Sequence, residues 1–448
     1  MNAHDSMDPC EIGPASLFDM QELLDEQTLE TVIASDLVVE SQYRPARKVR
    51  IVELTFTSQH WKGLVWKHPA RIYVPDNYDG TGVAGIIGTE KQFFDSNEWH
   101  RRTIPGTDLN TEAEYAECTA LDLGIPVMIF SNPADEPFGM NESDFTGYAL
   151  KKLLETGDMT WNGYYPIAKA YLRAITLLGS LDGIRSRRAM LLGNSKRGFA
   201  VCIATGVDPE RVAGIVACGF HGGNTLYHLS RKFAEFGPEV GGPSEEAWGK
   251  RSGPGFQGAD VVLRAINNPT GFRMLKHFDP YIWRHQIKSA YLVALGTNDE
   301  FFALGTPNSM MTEMSGNKGY LAIDNVQHTW VSEKHLSAWR MWLAHTFLGR
   351  RIPTIEAQGQ VRNGKLEVTA RIGTDTSAPT VKLFYSHNKP TLDWRAAQWH
   401  SVPMVQAGDQ FAATIEIKDG SRTAWYVEVS DDGIGGRGHI SSLIEILG

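Results

Sequence analysis

The chain has 448 residues, of which 42% are apolar and 21% charged, and its formal net charge at pH 7 is −9. A chain of this length and composition buries a large core and divides into at least two domains. Its acidic balance and its lack of Lys and Arg clusters argue against nucleic-acid or anionic-membrane partners, which need basic groups that neutralise phosphate.

The first 46 residues are acidic and polar and contain one amphipathic stretch, LFDMQELLDEQTLETVIASDL. The spacing of its apolar residues predicts a helical arm that packs on the body of the protein. The N-terminus shows no basic segment followed by an apolar one, and no run of about eighteen apolar residues occurs anywhere. We therefore expect a cytoplasmic protein without membrane association.

From Val49 onward, β-rich runs come first and then alternate with helical ones. The predicted strands are, in chain order, VRIVELTF, ARIYVPD, VAGIIG, PVMIFSNP, AMLLG, VAGIVACGF, SAYLVALGTND and GYLAIDN. The predicted helices are AEYAECTALDLG, WNGYYPIAKAYLRAITLLGSL, SKRGFAVCIATG and TWVSEKHLSAWRMWLAHTFLG. Because strands that alternate with helices form a mostly parallel sheet covered on both faces, the predicted fold class is α/β.

Two further segments depart from this alternation. Residues 221–288 are long, aromatic and glycine-rich, which predicts a cap or wall over the sheet edge, since long irregular segments in compact domains are usually functional. Beyond Arg351 apolar residues recur with a period of two between turn signals, which predicts a β-sandwich-like domain. The predicted division is an arm (1–46), an α/β domain (47–351) and a β domain (352–448).

A lone serine stands between a strand and a helix in the stretch LLGNSKRG. In a strand–serine–helix elbow, a nucleophilic serine needs small neighbours for close approach of strand and helix, and the helix N-terminus offers amides to a developing oxyanion. Gly193 and Gly198 flank Ser195 in this way, although Arg197 stands where the common GxSxG pattern has glycine. A helix cap formed by Asn194 or Ser195 would account for the same sequence, so this stretch alone leaves both interpretations open.

Chain order favours the nucleophile. A catalytic triad on such a fold is expected in the order serine, then an acid, then a histidine, each at the carboxyl end of a strand. Asp299 ends the run YLVALGTND, and His328 follows GYLAIDNVQ just before a helix. His328 would take the proton of Ser195 and return it to the leaving group, while Asp299 would hold the imidazole tautomer and stabilise its cationic form.

Backbone amides would stabilise the oxyanion of the intermediate. We expect one donor from Lys196, directly after the nucleophile, and another from Thr89 or Glu90, after the strand VAGIIG. Asp324, only four residues before His328, is a reserve acid. His221, at the end of a strand, is expected to line the pocket rather than act as a base, because the chain order gives it no downstream role.

The sequence predicts neither a metal nor a nucleotide cofactor, because it contains no HExxH, GxGxxG or P-loop pattern. The cysteines show no CxxC spacing, and buried structural thiols are the expected interpretation. They are Cys10, Cys118, Cys202 and Cys218.

Several stretches together resemble the PhoPQ-activated pathogenicity-related proteins, a branch of the α/β-hydrolases, over roughly residues 50–440. The stretches are GNSKRG, LLETGDMTWNGYYPIAKA, FDPYIWRHQIKSAYLVALGTNDEFF, IDNVQHTW and KLFYSHNKPTLDWRAAQWHSVPM. The resemblance implies an α/β-hydrolase fold and a β-rich C-terminal region. It marks Ser195, Asp299 and His328 as the triad, the same residues that strand order indicates.

The chain departs from the family pattern at two loops. After the third strand it reads GTEKQFF, which places Glu90 and Lys91 near the expected oxyanion hole, and after the fourth it reads SNPADEPF, which adds Asp135 and Glu136. We expect these residues to lie around the substrate pocket. Glu300 and Trp330, which adjoin the expected acid and base, complete the set of pocket candidates.

Three functions fit these residues. The first is a serine hydrolase that cleaves a small carboxylic ester through an acyl-enzyme. The second is an amidase or aminopeptidase-like enzyme, in which the acidic residues at the strand ends would meet a substrate amine. The third is a non-catalytic binding protein on the same scaffold, for which the β domain would supply a partner or oligomer contact through its tryptophans. Those tryptophans are Trp394, Trp399 and Trp425.

Overall fold

The N-terminal segment forms a short helix and an edge strand. The structure is a computed structural model that describes residues 12–89, 112–131, 137–140, 142–236, 267–376, 378–388 and 391–448. Helix α1 is Met20–Leu24, capped by the Asp19 carboxylate, which accepts from the amides of Gln21 and Glu22. Strand β1 is Val32–Glu40. The prediction of one helix over this stretch is therefore wrong: Ile33 and Leu37, which are four residues apart as on one face of a helix, lie exposed on an antiparallel edge strand.

A nine-stranded mixed sheet forms the centre of the molecule. Its further strands are β2 Lys48–Trp61, β3 Leu64–Pro75, β4 Val83–Thr89, β5 Val127–Ser131, β6 Arg188–Asn194, β7 Val212–Cys218, β8 Ala290–Gly296 and β9 Lys318–Ile323. The spatial order is β1-β2-β3-β5-β4-β6-β7-β8-β9. Strands β1, β2 and β3 are antiparallel to one another, and β3 is antiparallel to β5. All further neighbours, from β5 through β4, β6, β7 and β8 to β9, are parallel. The predicted α/β class is confirmed.

Helices cover both faces of this sheet. They are α2 Glu112–Leu123, α3 Glu142–Thr156, α4 Tyr164–Ser180, α5 Lys196–Val207, α6 Thr225–Phe236, α7 Pro269–Phe278, α8 Pro307–Glu313 and α9 Glu333–Leu348. Helices α4 and α5 share one apolar core, and α2 and α9 share the other. Neighbouring strand residues point alternately into the two cores, as Ile86 and Ile87 do in β4. None of the described helices has the length and apolar character that a membrane span needs.

The C-terminal part consists of two antiparallel sheets. The strands are β10 Thr354–Arg362, β11 Lys365–Gly373, β12 Thr380–Asn388, β13 His400–Pro403, β14 Val405–Ala407, β15 Gln410–Glu416, β16 Arg422–Gly433, β17 Gly436–Ser441 and β18 Glu445–Leu447. One sheet has the order β10-β11-β15-β14 and the other β13-β12-β16-β17, with β18 also paired to β16. Val427 of β16 belongs to the apolar core that also holds Leu366 of β11, whereas Tyr426 belongs to the core that holds α4 and α5.

Two sequence expectations concern side chains that the structure buries. Trp394, Trp399 and Trp425 are at most 3% exposed, so they do not offer a partner an aromatic surface. The cysteines other than Cys10, which lies outside the described residues, are buried, as expected. Within the segment 221–288, the structure describes α6 and α7 and not the residues between them, so its role as a cap stays a prediction.

Candidate active site

Ser195 lies on a strained turn between β6 and α5. Its backbone has φ 55° and ψ −118°, a conformation that costs a non-glycine residue energy. The turn is fixed by the Ser195 amide, which donates to the carbonyl of Cys218 in β7 at 2.9 Å. The side chains of Asn194 and Ser195 were both candidates for capping α5, but the Ser195 hydroxyl makes no capping hydrogen bond there. The geometry therefore matches a nucleophile elbow and not a helix cap.

Two glycines let the strand and the helix approach closely at this elbow. A Cβ atom at Gly193 would collide with the backbone carbonyl of Arg197, and one at Gly198 would lie 2.9 Å from the carbonyl oxygen of Cys218. In this chain the close contact with the neighbouring strand falls three residues after the serine. Glycine is therefore required at that position, and the GxSxG pattern is not.

Arg197 connects the elbow to the end of β4. Its side chain is buried, and its Nε donates to the backbone carbonyl of Thr89 at 3.1 Å. Thr89 is the last residue of β4, at the point where the second oxyanion donor is expected. Glu90 and Lys91, which follow it, lie outside the described residues. Arg197 thus ties the elbow to the last residue of β4.

Asp299 and His328 form a buried hydrogen-bonded pair at the ends of β8 and β9. The distance from His328 Nδ1 to Asp299 Oδ2 is 2.7 Å. The other carboxylate oxygen of Asp299 accepts from the amides of Phe301 at 2.8 Å and Phe302 at 2.9 Å, which fixes its orientation. A carboxylate placed in this way makes Nδ1 the protonated nitrogen and leaves Nε2 free to accept a proton. Asp324, the reserve acid, pairs instead with Lys334.

His328 and the end of β6 meet at Gly219. A Cβ atom there would lie 3.0 Å from His328 Cε1 and 2.6 Å from Asn194 Oδ1, so the imidazole lies against the strand next to the one that carries Ser195. The structure joins Asp299 to His328 directly. Among the described contacts no hydrogen bond links the Ser195 hydroxyl to the imidazole, a bond that often tightens only when substrate binds.

Glu300 fixes the backbone at His328 through a hydrogen bond. Its carboxylate accepts from the amide of His328 at 2.7 Å, and the residue is 8% exposed. The sequence analysis placed Glu300 at the pocket as an acceptor for a substrate amine. The structure gives this carboxylate a partner within the protein and ties the acid-bearing loop to the His328 loop.

His221 belongs to an aromatic cluster beside the Asp299–His328 pair. Its ring stacks on His228 of α6, with centroids 4.5 Å apart, and both contact Phe302, which in turn contacts His328. Burial lowers the pKa of His221 to about 4, which agrees with a wall residue and not a base. The sequence analysis did not identify His228. It did include Phe302, which His228 contacts, in the stretch GTNDEFF.

The remaining pocket candidates receive less support. Trp330 is half-buried and packs on the apolar core of α2 and α9, so its place in the pocket stays a prediction. Asp135 and Glu136 lie outside the described residues. In the described part of the chain, no group of three or more His, Cys, Asp and Glu side chains is arranged to hold a metal ion.

Known proteins resemble this chain over most of its length. A family model described as PhoPQ-activated pathogenicity-related protein matches residues 35–395. The chain belongs to this family. The PhoPQ-related match spans the whole parallel sheet together with Ser195, Asp299 and His328, and it confirms the resemblance found in the sequence.

Among curated proteins, the Autocrine proliferation repressor protein A of Dictyostelium discoideum is 24% identical over 293 residues. The match covers 62% of this chain and 55% of that protein, so the PhoPQ-related chain spans about half the length of this relative.

Solved esterase and lipase structures are among the proteins that are similar to this chain. Acetyl xylan esterase 1 from Thermoanaerobacterium sp. JW/SL YS485 is 13% identical with a TM-score of 0.40, covering 69% of this chain and 86% of that one. The glucuronoyl esterase from Solibacter usitatus is 14% identical with a TM-score of 0.42, covering 72% and 87%. Candida antarctica lipase A is 12% identical with a TM-score of 0.42, covering 78% and 87%. At such values these similarities carry no information on chemistry.

Proposed function

We propose that this PhoPQ-related protein is a serine hydrolase that cleaves a carboxylic ester through an acyl-enzyme intermediate. The proposal rests on one observation: a buried Asp299–His328 hydrogen bond lies at the strand ends beside Ser195, whose backbone is held in an elbow. These are the groups that an acyl-transfer mechanism needs, in the order that this fold supplies them.

In the proposed first step, Ser195 Oγ attacks the ester carbonyl carbon while His328 Nε2 takes its proton. Asp299 accepts the hydrogen bond from Nδ1–H, which keeps this proton on Nδ1, and it stabilises the imidazolium. The oxyanion accepts hydrogen bonds from the Lys196 amide at the start of α5 and from the amide of Thr89 or Glu90. The C–O bond then breaks, and His328 returns the proton to the departing alcohol.

In the second step, water replaces the alcohol. His328 Nε2 takes a proton from the water as it attacks the acyl carbon, and it returns that proton to Ser195 Oγ when the acid leaves. The aromatic cluster of Phe302, His221 and His228 would form an apolar wall for the acyl or alcohol group. An ester is preferred over an amine-bearing amide because Glu300, the one described acidic candidate, is engaged by the His328 amide.

An active-site phosphonate tests the proposal directly. The reagent should form one covalent adduct on the wild-type protein, which peptide mass spectrometry places on Ser195, and p-nitrophenyl ester turnover should fall in parallel. Ser195→Ala should abolish both, whereas Ser230→Ala, at an exposed serine of α6, should change neither. Labelling elsewhere, or full turnover by Ser195→Ala, would overturn the proposal. No labelling and no turnover by the wild type would favour the binding-protein alternative.

A further inference from the structure

A loop of the β domain contacts both catalytic loops. Residues 391–399, between β12 and β13, lie against residues 297–299 after β8 and residues 324–328 after β9. These two segments carry the acid and the base. The contact is therefore made at the site itself, although the β domain contributes none of the proposed catalytic groups.

Asn298 makes the first connection, from the residue directly before Asp299. Its side-chain amide nitrogen donates to the carbonyl oxygens of Ala397 at 2.7 Å, Arg395 at 3.1 Å and Trp394 at 3.3 Å. Asn298 is 8% exposed. Because the carbonyls of one β-domain turn converge on this nitrogen, the Asn298 side chain is fixed relative to that turn.

Asn325 makes the second connection, three residues before His328. Its amide nitrogen donates to the carbonyl of Trp399 at 3.0 Å, and its side-chain oxygen accepts from the Trp399 amide at 2.8 Å. The two catalytic loops are also joined to each other through their backbones. The backbone amide of Asn325 donates to the Thr297 hydroxyl at 3.0 Å, and the backbone amide of Asn298 donates to the carbonyl of Val326 at 3.1 Å.

The loop that holds the asparagines is itself anchored. The Trp394 and Trp399 side chains are 1% and 3% exposed, and the Trp399 ring lies 5.5 Å from the ring of Tyr426 in β16. The Arg395 guanidinium lies 4.3 Å from the ring centroid of Phe236 at the end of α6. A turn fastened by two buried indoles is a rigid support, and such support is what keeps catalytic groups in productive geometry.

We propose that the β domain positions the catalytic acid and base, and that Asn298 and Asn325 are the positioning residues through which it does so. This inference rests on the proposed hydrolase function. Loss of either side chain lets one catalytic loop shift relative to Ser195. A displacement of about 1 Å in such a site lowers the rate by up to about 10²-fold.

The test compares Asn298→Ala and Asn325→Gly with Asn308→Ala. Glycine is chosen at 325 because Asn325 has φ 54°, which alanine would strain. Asn308 is the matched control, since its side chain also bonds a β-domain carbonyl, that of Ile444 at 2.7 Å, but away from the catalytic loops. We expect kcat for a p-nitrophenyl ester to fall about 10- to 100-fold in the first two variants, with KM little changed, and Asn308→Ala to keep its kcat.

Two readouts separate positioning from general destabilisation. The phosphonate labelling rate of Ser195 should fall with kcat at a temperature well below unfolding, and the deshielded proton resonance of the His328–Asp299 hydrogen bond should broaden or move. If Asn298→Ala fails to fold, Asn325→Gly decides the matter alone. Labelling of the wild type together with unchanged kcat and resonance in Asn325→Gly would overturn this inference and leave the hydrolase function standing. A wild type that is neither labelled nor active would remove the function itself.

Discussion

Ser195 is held in a backbone conformation that costs a residue with a Cβ atom roughly 1–3 kcal/mol. The surroundings impose it through the hydrogen bond from its amide to Cys218 and through the close approach at Gly193 and Gly198. Since the hydroxyl of Ser195 does not cap α5, the serine contributes little to folding. At this position stability and activity therefore favour different residues.

Ser195→Gly should stabilise the protein while it abolishes ester turnover. Glycine adopts positive φ freely, and after its greater loss of backbone entropy the free energy of unfolding should rise by about 0.5–2 kcal/mol. Urea unfolding of the inactive pair Ser195→Gly and Ser195→Ala gives the measurement, because alanine keeps the Cβ atom and the strain. Equal stability of the two variants would show that the turn is not strained.

Asp299→Asn should lower kcat by an amount on the order of 10⁴-fold with little loss of stability. The asparagine oxygen can still accept from the amides of Phe301 and Phe302, but its nitrogen would donate to His328 Nδ1 and impose the wrong tautomer. Steady-state kinetics give the comparison with Asp324→Asn, which changes the acid that pairs with Lys334. A larger loss in Asp324→Asn would exchange the roles assigned to the two carboxylates.

At the scale of elements, the elbow between β6 and α5 is tied to the end of β4 by one buried arginine. Arg197 occupies the position where the common pattern has glycine, and the chain uses the side chain there to reach the Thr89 carbonyl. The close approach that glycine would otherwise provide has moved to Gly198. The departure from GxSxG is therefore a different way of building the same turn.

Arg197→Met should slow turnover by about 10- to 100-fold without removing any proposed catalytic group, because Thr89, where the second oxyanion donor is proposed, loses the side chain that holds its carbonyl. The matched control is Arg211→Met, in the turn between α5 and β7, where the arginine bonds Thr176 at 2.8 Å. Single-turnover acylation rates and thermal unfolding should be measured for both. An acylation rate equally reduced in both variants would assign Arg197 a purely structural role.

The α/β class was predictable because buried parallel strands are continuous apolar runs, and the order of Ser195, Asp299 and His328 follows from that class. Strand β1 was not predictable. The apolar spacing of Ile33 and Leu37 suits a helix, and only pairing with β2 makes this segment a strand. The asparagine contacts were equally hidden, because Asn298 bonds Ala397 about a hundred residues further along the chain.

Across the whole molecule, histidines kept neutral by burial make stability depend on pH. His68, on β3, contacts Ser131 of β5 and Ser58 of β2 with its two ring nitrogens, and His335 lies in α9. Burial lowers the pKa of each from 6.5 to about 3. Between about pH 6.5 and pH 3 these histidines are therefore protonated in the unfolded chain and neutral in the folded chain. Stability is full above pH 6.5 and falls as the pH drops through that window.

Each of these histidines should contribute about 1.4 kcal/mol per pH unit to the slope of unfolding free energy below pH 6. His68→Gln, which removes one of them, should therefore have a slope smaller than the wild type by that amount. Urea unfolding at several pH values between about 4.5 and 7 gives both slopes. Parallel slopes for the two proteins would show that His68 is protonated in the folded state.

The connection of Asn298 and Asn325 to residues 391–399 also has a consequence in time. The ribosome, at about 5–20 residues per second, completes Ser195, Asp299 and His328 several seconds before the turn that holds two of their loops. The nascent α/β domain therefore contains all three proposed catalytic residues before the residues that hold two of their loops have been synthesised. Under the proposed function, full hydrolytic activity would arrive only when the β domain has been made and has docked, so each active molecule would be one whose translation has passed residue 399.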